Sequence, residues 1–239
     1  MDIINTIVRQ FRSTFIIDNR YKVFLTGFKN TMLITIVAAL IGIAIGTVIA
    51  VIHNIASQRQ RHKTLGGTLI RLLDKLLTAY VAVMRGTPLA IQLMIWAFVL
   101  LAGKDKLTVA CIAFGLNSAA YVSEVIRAGI NSVDAGQMEA GRSLGLDRLT
   151  TMRKIILPQA IKNILPALCN EGIAVLKETS IVSLVAVVDL TRASDLVRSR
   201  TLLAFFPLVS VAIVYFILVA GLSSAVNRME KRLAKSDRG

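Results

Sequence analysis

Residues 31–52 run TMLITIVAALIGIAIGTVIAVI without a single charged side chain. A spanning α-helix needs about 20 mostly apolar residues to cross the hydrocarbon core of a bilayer, and this stretch is long enough. Such a segment constrains everything else, because lipid offers no partner for an unbonded backbone group. Composition agrees with a membrane chain: 55% hydrophobic residues, 18% charged and a mean hydropathy of +0.67 over 239 residues. A formal net charge of +14 fits either a nucleic-acid binder or the Lys/Arg excess of cytoplasmic loops. The basic residues lie mostly between apolar runs, with no aromatic-basic stretch to stack on bases, which favours the second. Cys111 and Cys169 sit far apart in apolar surroundings and read as small core residues rather than a disulfide or metal pair. The first thirty residues are mixed polar and basic, with no apolar core of a cleavable signal peptide, so the first span is expected to act as the insertion signal.

Further spans follow. Gly42 and Gly46 inside the first have two readings: a spacing that lets another helix approach closely, or the ordinary glycine use of membrane helices. The stretch 76–102 is interrupted at Arg85, Gly86, Thr87 and Pro88, where proline removes a donor and disfavours helix in the residue before it. Arg85, Gly86 and Pro88 are therefore expected to form a structural turn where the chain enters the bilayer, with a membrane helix from Leu89. A short turn, Gly103 to Lys106, leads to a third span over 107–130 that carries Glu124 and Arg127 one helical turn apart. A fourth is expected over 166–188, with Glu171, Lys177 and Glu178 in it, and an uncharged fifth over 201–226. The fold class is all-α and polytopic, with about five transmembrane helices: an N-terminal arm (1–24), a transmembrane domain (25–231) with an inner loop (131–165), and a basic tail (232–239). With the carboxyl tail inside, the inner segments hold 15 Lys/Arg against 5 in the two outer loops. The arm opposes this bias, since Arg9, Arg12, Arg20, Lys22 and Lys29 then lie outside; Phe11, Phe15, Ile16 and Ile17 would let it lie along the membrane surface.

No GxxxxGK[ST] phosphate loop occurs, so energy from ATP would have to come from a separate subunit. The histidines are His53 and His62, both near a loop, with no paired metal ligands and no serine nucleophile motif. No catalytic residue, metal or cofactor is assigned to the chain itself.

The loop 131–165 is far longer than a turn between spans requires. It reads Gln137-Met138-Glu139-Ala140-Gly141-Arg142-Ser143-Leu144-Gly145, then nine residues, then Ile155-Ile156-Leu157-Pro158. This resembles the EAA motif of ABC importer permeases, E-A-A, three residues, G, nine residues, I-x-L-P, with Gly141 in place of the third small residue. Small side chains at Ala140 and Gly141 would let a short helix seat in a groove of another protein. Glu139 offers a charged contact, and Gly145 can end the helix. Asp147 is expected to cap a second helix running through Met152 and Ile155 to Pro158.

Flanking segments narrow the resemblance. Val83-Met84-Arg85-Gly86-Thr87-Pro88-Leu89-Ala90-Ile91-Gln92-Leu93 is similar to a segment of polar amino-acid permeases, as are Asn117-Ser118-Ala119-Ala120-Tyr121 and Leu176-Lys177-Glu178-Thr179-Ser180-Ile181. The resemblance implies a type I ABC importer permease of the cytoplasmic membrane of a prokaryote. It also implies paired permeases, separate ATPase subunits that hold ATP and Mg, an external solute-binding protein and an amino-acid substrate. Glu139, Ala140, Gly141, Gly145, Leu157 and Pro158 would then couple to the ATPase. Two acidic residues within spans, Glu124 and Glu178, have two readings: structural charges paired with Arg127 or a neighbour, or carboxylates lining the path and meeting the ammonium of an amino acid.

Overall fold

The computed structural model describes residues 3–58 and 65–235, and all regular structure among them is helical. The helices are α1 (Ile3–Phe11), α2 (Tyr21–Gln58), α3 (Leu65–Gly86), α4 (Leu89–Ile95), α5 (Lys106–Asn131), α6 (Gly136–Ser143), α7 (Arg148–Thr151), α8 (Leu157–Glu178), α9 (Leu190–Thr201) and α10 (Phe205–Lys235). His62 and the last four residues of the basic tail lie outside the described residues.

Three of these helices are long and apolar enough to cross a membrane: Tyr21–Ser57, Lys106–Asn131 and Phe205–Leu233. A fourth is reached if Gly66–Gly86 and Leu89–Leu100, broken at Thr87–Pro88, count as one span. The expected span over 166–188 differs. Its α-helix begins earlier, at Leu157, contains Pro166 and ends at Glu178. A 3-10 segment, Thr179–Val185, and a left-handed Ala186 (φ 64°) follow. Gln159, Asn163 and Asn170, together with Lys162, Glu171, Lys177 and Glu178, make α8 more polar than the three long apolar helices. The linker expected over 53–75 is also largely helical, since α2 runs to Gln58 and α3 starts at Leu65. The last span starts later than expected, because Leu202 is left-handed (φ 56°) and separates α9 from α10.

The chain divides into two compact units, each made of three stretches. The first comprises Met1–Ala38, Leu89–Phe114 and Ile173–Ser223. Its core gathers Ile34, Leu93, Val109, Phe114, Val182 and Val185, all essentially without solvent exposure. Asp189, also fully buried, caps α9 by accepting from the backbone N–H groups of Thr191 (2.9 Å) and Arg192 (2.8 Å). Gly27 makes room for it: a Cβ there would lie 2.6 Å from the Asp189 carbonyl oxygen. The N-terminal arm is anchored in this unit by Phe15, whose ring lies 5.0 Å from Phe24 and 6.5 Å from Phe206. Ile4, Ile7 and Val8 of α1 face outward.

The second unit comprises Ala39–Pro88, Gly115–Gly172 and Ser224–Gly239, around Ala50, Val122, Ile126, Ala160 and Ile164. Here the GxxxG pair does what its spacing implies. A Cβ on Gly46 would sit 2.7 Å from Val122 Cγ1 and 2.8 Å from the Ala119 carbonyl oxygen, and Gly42 rests on Ser118 in the same way. Helix α3 is tied to α5 by polar contacts at its far end. The Tyr80 hydroxyl donates to the Leu116 carbonyl (2.5 Å), and Asn117 Nδ2 donates to the Met84 carbonyl (3.2 Å).

Candidate coupling loop and charged cavity

Both features lie in the second unit. The loop opens at Asp134, whose Oδ1 accepts from the Gly136 N–H (2.7 Å) as α6 starts. At the other end Leu146 N–H donates to the Gly141 carbonyl and Gly145 N–H to the Arg142 carbonyl, with Gly145 at φ +83°. This is the paired closing pattern of a helix stopped by a left-handed residue, where a side chain would be strained. Asp147 then starts α7, its Oδ1 accepting from the Thr150 N–H (2.7 Å). That backbone bond, with a second from the Thr150 side chain, holds the Asp147 carboxyl below the usual carboxylate range.

The expected end of this second helix before Pro158 is not what forms. After Thr151 the chain continues through a π-helical turn, Met152–Ile156, directly into α8. Leu157 N–H reaches back to the Met152 carbonyl, and Gln159 Nε2 donates to the Ile155 carbonyl (2.9 Å). Proline has no N–H, and the wider turn lets the helix absorb it without ending.

Glu139 and Ala140 are exposed, whereas Gly141 is buried in its own chain. A Cβ on Gly141 would lie 2.5 Å from Thr151 Cγ2 and 2.8 Å from Thr151 Oγ1, so its small size serves the packing of α6 on α7. Sequence reasoning treated Ala140 and Gly141 as one small face; they point to different surroundings. It also missed Leu144 and Leu149, which stand 80% and 76% exposed beside α6 and α7. Leu157 and Pro158 are exposed in the first turn of α8. Two bare leucines in a polar loop were the signal available.

The second feature is a charged cavity. Glu124 on α5 is gripped by Arg127, with Nε–Oε1 and NH2–Oε2 distances of 3.1 Å and 2.6 Å. Arg85, at the end of α3, approaches the same carboxylate at 3.7 Å, and its guanidinium carbon lies 5.5 Å from the centre of the Tyr121 ring. Arg85 therefore belongs to a charge cluster and, against expectation, lies within α3 with Gly86, while the helix break falls at Thr87 and Pro88. His53 Nδ1 on α2 pairs with Asp74 Oδ1 on α3 at 2.9 Å. His53, Asp74, Glu124 and Arg127 line one cavity of about 220 Å³ with an otherwise largely apolar wall. Glu178 belongs to the first unit, where it ends α8 as an exposed residue. Among the described residues no group of three or more His, Cys, Asp or Glu gathers as a metal site would require.

The sequence pattern of a protein family described as "binding-protein-dependent transport system inner membrane component" matches residues 67–235. The chain belongs to this family. Its relatives extend the likeness beyond the matched region. A Rickettsia bellii protein provisionally assigned as a glutamine transport system permease is 41% identical over 208 residues, covering 85% of this chain and 91% of that protein. The arginine transport system permease protein ArtQ of Bacillus subtilis is 38% identical over 217 residues, 89% and 93% of the two chains. A crystal structure described as an amino acid ABC transporter with histidines superposes with a TM-score of 0.81 at 35% identity, covering 97% of this chain and 99% of that one. An inward-facing structure of the MetNI methionine ABC transporter, at 18% identity and a TM-score of 0.70, shares the fold. The chain is thus a membrane transport subunit, and the all-helical architecture expected from sequence is that of an ABC importer permease.

Proposed function

We propose that this permease carries an amino acid across the cytoplasmic membrane of a prokaryote by alternating access, driven by ATPase subunits that dock on the α6–α7 loop. The likeness to permeases named for glutamine and arginine, sustained over more than four-fifths of both chains, carries this reading. ATP and Mg would be bound by those partners and no cofactor by this chain, since the sequence has no phosphate loop. An external solute-binding protein would deliver the substrate, and a second permease copy or homologue would complete the path.

In this reading the exposed Glu139, Ala140, Leu144 and Leu149 form the surface offered to the ATPase, and Gly145, Leu157 and Pro158 fix its frame. A competing reading within the same class is a different small solute, because the coupling loop does not select substrate. The test is uptake of labelled arginine and glutamine by proteoliposomes holding the whole complex, with and without internal ATP. Uptake that requires ATP and the binding protein supports the reading; ATP-dependent uptake of some other solute alone would replace it. Glu124 and Glu178 are assigned to the path as proposals. Glu124→Gln and Glu178→Gln, with ATPase activity and assembly intact, should raise the half-saturation concentration or alter selectivity. Unchanged uptake in both would leave them as structural charges.

A further inference from the structure

The charged cavity holds more ionisable chemistry than pairing alone accounts for. Four such groups, His53, Asp74, Glu124 and Arg127, converge from α2, α3 and α5 on one space among Ile49, Leu77 and Val81. An adjoining cavity shares Ala50, His53 and Arg127 and continues to Asn131, the last residue of α5. Ionisable groups within a membrane domain are expensive to keep, and a concave apolar wall with a few convergent polar groups is the usual form of a small-molecule site.

The pairing leaves one face of each sign available. Glu124 engages Arg127 through Nε and NH2, which leaves NH1 of a side chain that is 44% exposed. His53 engages Asp74 through Oδ1, which leaves Oδ2. The cavity is therefore lined by a guanidinium and by carboxylates at once, the complement of a zwitterion. Its volume of about 220 Å³ suits a molecule of amino-acid size. Along the chain the groups sit close to the helix ends expected to face the cytoplasm: His53 near the end of α2, Arg127 near the end of α5 and Asp74 early in α3.

From this geometry we infer that the cavity is a binding site for a free α-amino acid on the cytoplasmic side, with Arg127 NH1 meeting the carboxylate and Asp74 Oδ2 the ammonium. Glu124, on the same wall, orients Arg127, with Arg85 steadying it. The inference rests on the amino-acid permease reading and adds a site and its contacts to it.

The experiment measures equilibrium binding of labelled L-arginine and L-glutamine to the intact permease–ATPase complex in nanodiscs, without the solute-binding protein. Unlabelled argininamide, which lacks the carboxylate, and N-acetylarginine, which lacks the ammonium, serve as competitors. Each should compete at least about ten-fold more weakly than arginine, as loss of one charged hydrogen bond implies. Asp74→Asn keeps an acceptor for His53 and should weaken binding by a similar factor. Thr78→Phe, at an exposed lining position, should block the cavity and abolish binding while the complex still assembles. Equal competition by both analogues, or wild-type binding in both variants, overturns the site. Absence of binding in a complex that takes up amino acids overturns the site and leaves the transport reading intact. A complex that takes up no amino acid refutes the transport reading and the site with it.

Discussion

Replacing Gly141 by alanine tests whether the small residue in the loop serves a partner or the loop itself. The added Cβ would lie 2.5 Å from Thr151 Cγ2 and 2.8 Å from Thr151 Oγ1. Threonine yields little, because its branched Cβ restricts χ1 and its hydroxyl is committed to the Asp147 carbonyl at 2.9 Å. Overpacking of this kind costs about 1–3 kcal/mol. Alanine recovers about 0.5–1 kcal/mol over glycine inside a helix. The net loss is on the order of 1 kcal/mol, which corresponds to about five-fold more frequent local opening at 25 °C. Hydrogen exchange of the complex, read at the Leu144, Leu146 and Thr151 amides that close α6 and α7, reports this directly. Thr151→Ser removes the crowding methyl, so the double variant Gly141→Ala with Thr151→Ser should return most of the protection. Unchanged exchange in Gly141→Ala, or no recovery in the double variant, would refute the internal-packing argument and return Gly141 to a role at the partner's surface.

Other perturbations follow from the same contacts. Gly46→Val would drive a side chain into the Ala119 carbonyl and Val122, at a cost of about 1–3 kcal/mol, and should lower the yield of monodisperse permease on size exclusion. Pro88→Ala restores a donor and lets helix continue through Thr87, so assembly yield should fall more than substrate choice changes; altered selectivity at normal yield would contradict that. Asp147 has a carboxyl held below its unfolded value, so its contribution to α7 is complete above about pH 4, where the unfolded group is ionised, and fades as pH falls through the lower folded value. Protection of the Thr150 amide should weaken at that acidic end in the wild type and stay flat in Asp147→Asn, which caps without titrating.

How much of this was legible in the sequence depended on whether a signal was local. The uncharged run 31–52, the span from Leu107 and the stop at Gly145 rest on local patterns, and the structure keeps all three. The GxxxG pair is also local, and its contact with Ser118, Ala119 and Val122 follows from size alone. The stretch 166–188 is apolar enough to suggest one helix, but the backbone leaves the α-helix at Glu178. Val182 and Val185 are apolar for the sake of a buried core, yet they sit in a 3-10 segment. The His53–Asp74 pair was invisible for a related reason. Basic residues between His53 and Lys75 read as a linker, so Asp74 was never placed on a helix among Leu72, Leu73, Leu76 and Leu77. Asp189 carries no signal of its own in the sequence, because nothing local says that a carboxylate will be fully buried and used as a cap.

The loop that carries α6 and α7 shows why its sequence mixes small, acidic and capping residues. Helix α6 has eight residues and α7 four, and isolated helices this short are not stable in water. A loop that transmits force, as proposed for this one, must nevertheless hold its shape, so stability has to come from contacts within it. Each end is closed by a specific group: Asp134 on the Gly136 N–H, Gly145 in the left-handed conformation, and Asp147 on the Thr150 N–H. Ser143 adds a bond to the Glu139 carbonyl at 3.0 Å. Between the two helices Gly141 and Thr151 meet with no space to spare, and Thr151 is fully buried. The segment is a small folded body whose polar interior bonds are spent on its own backbone. Its outer face is left to Glu139, Ala140, Leu144 and Leu149. An apolar pair of that exposure is unfavourable in water and favourable only when covered, so in the proposed docking the leucines would supply the energy and the glycines the shape that presents them.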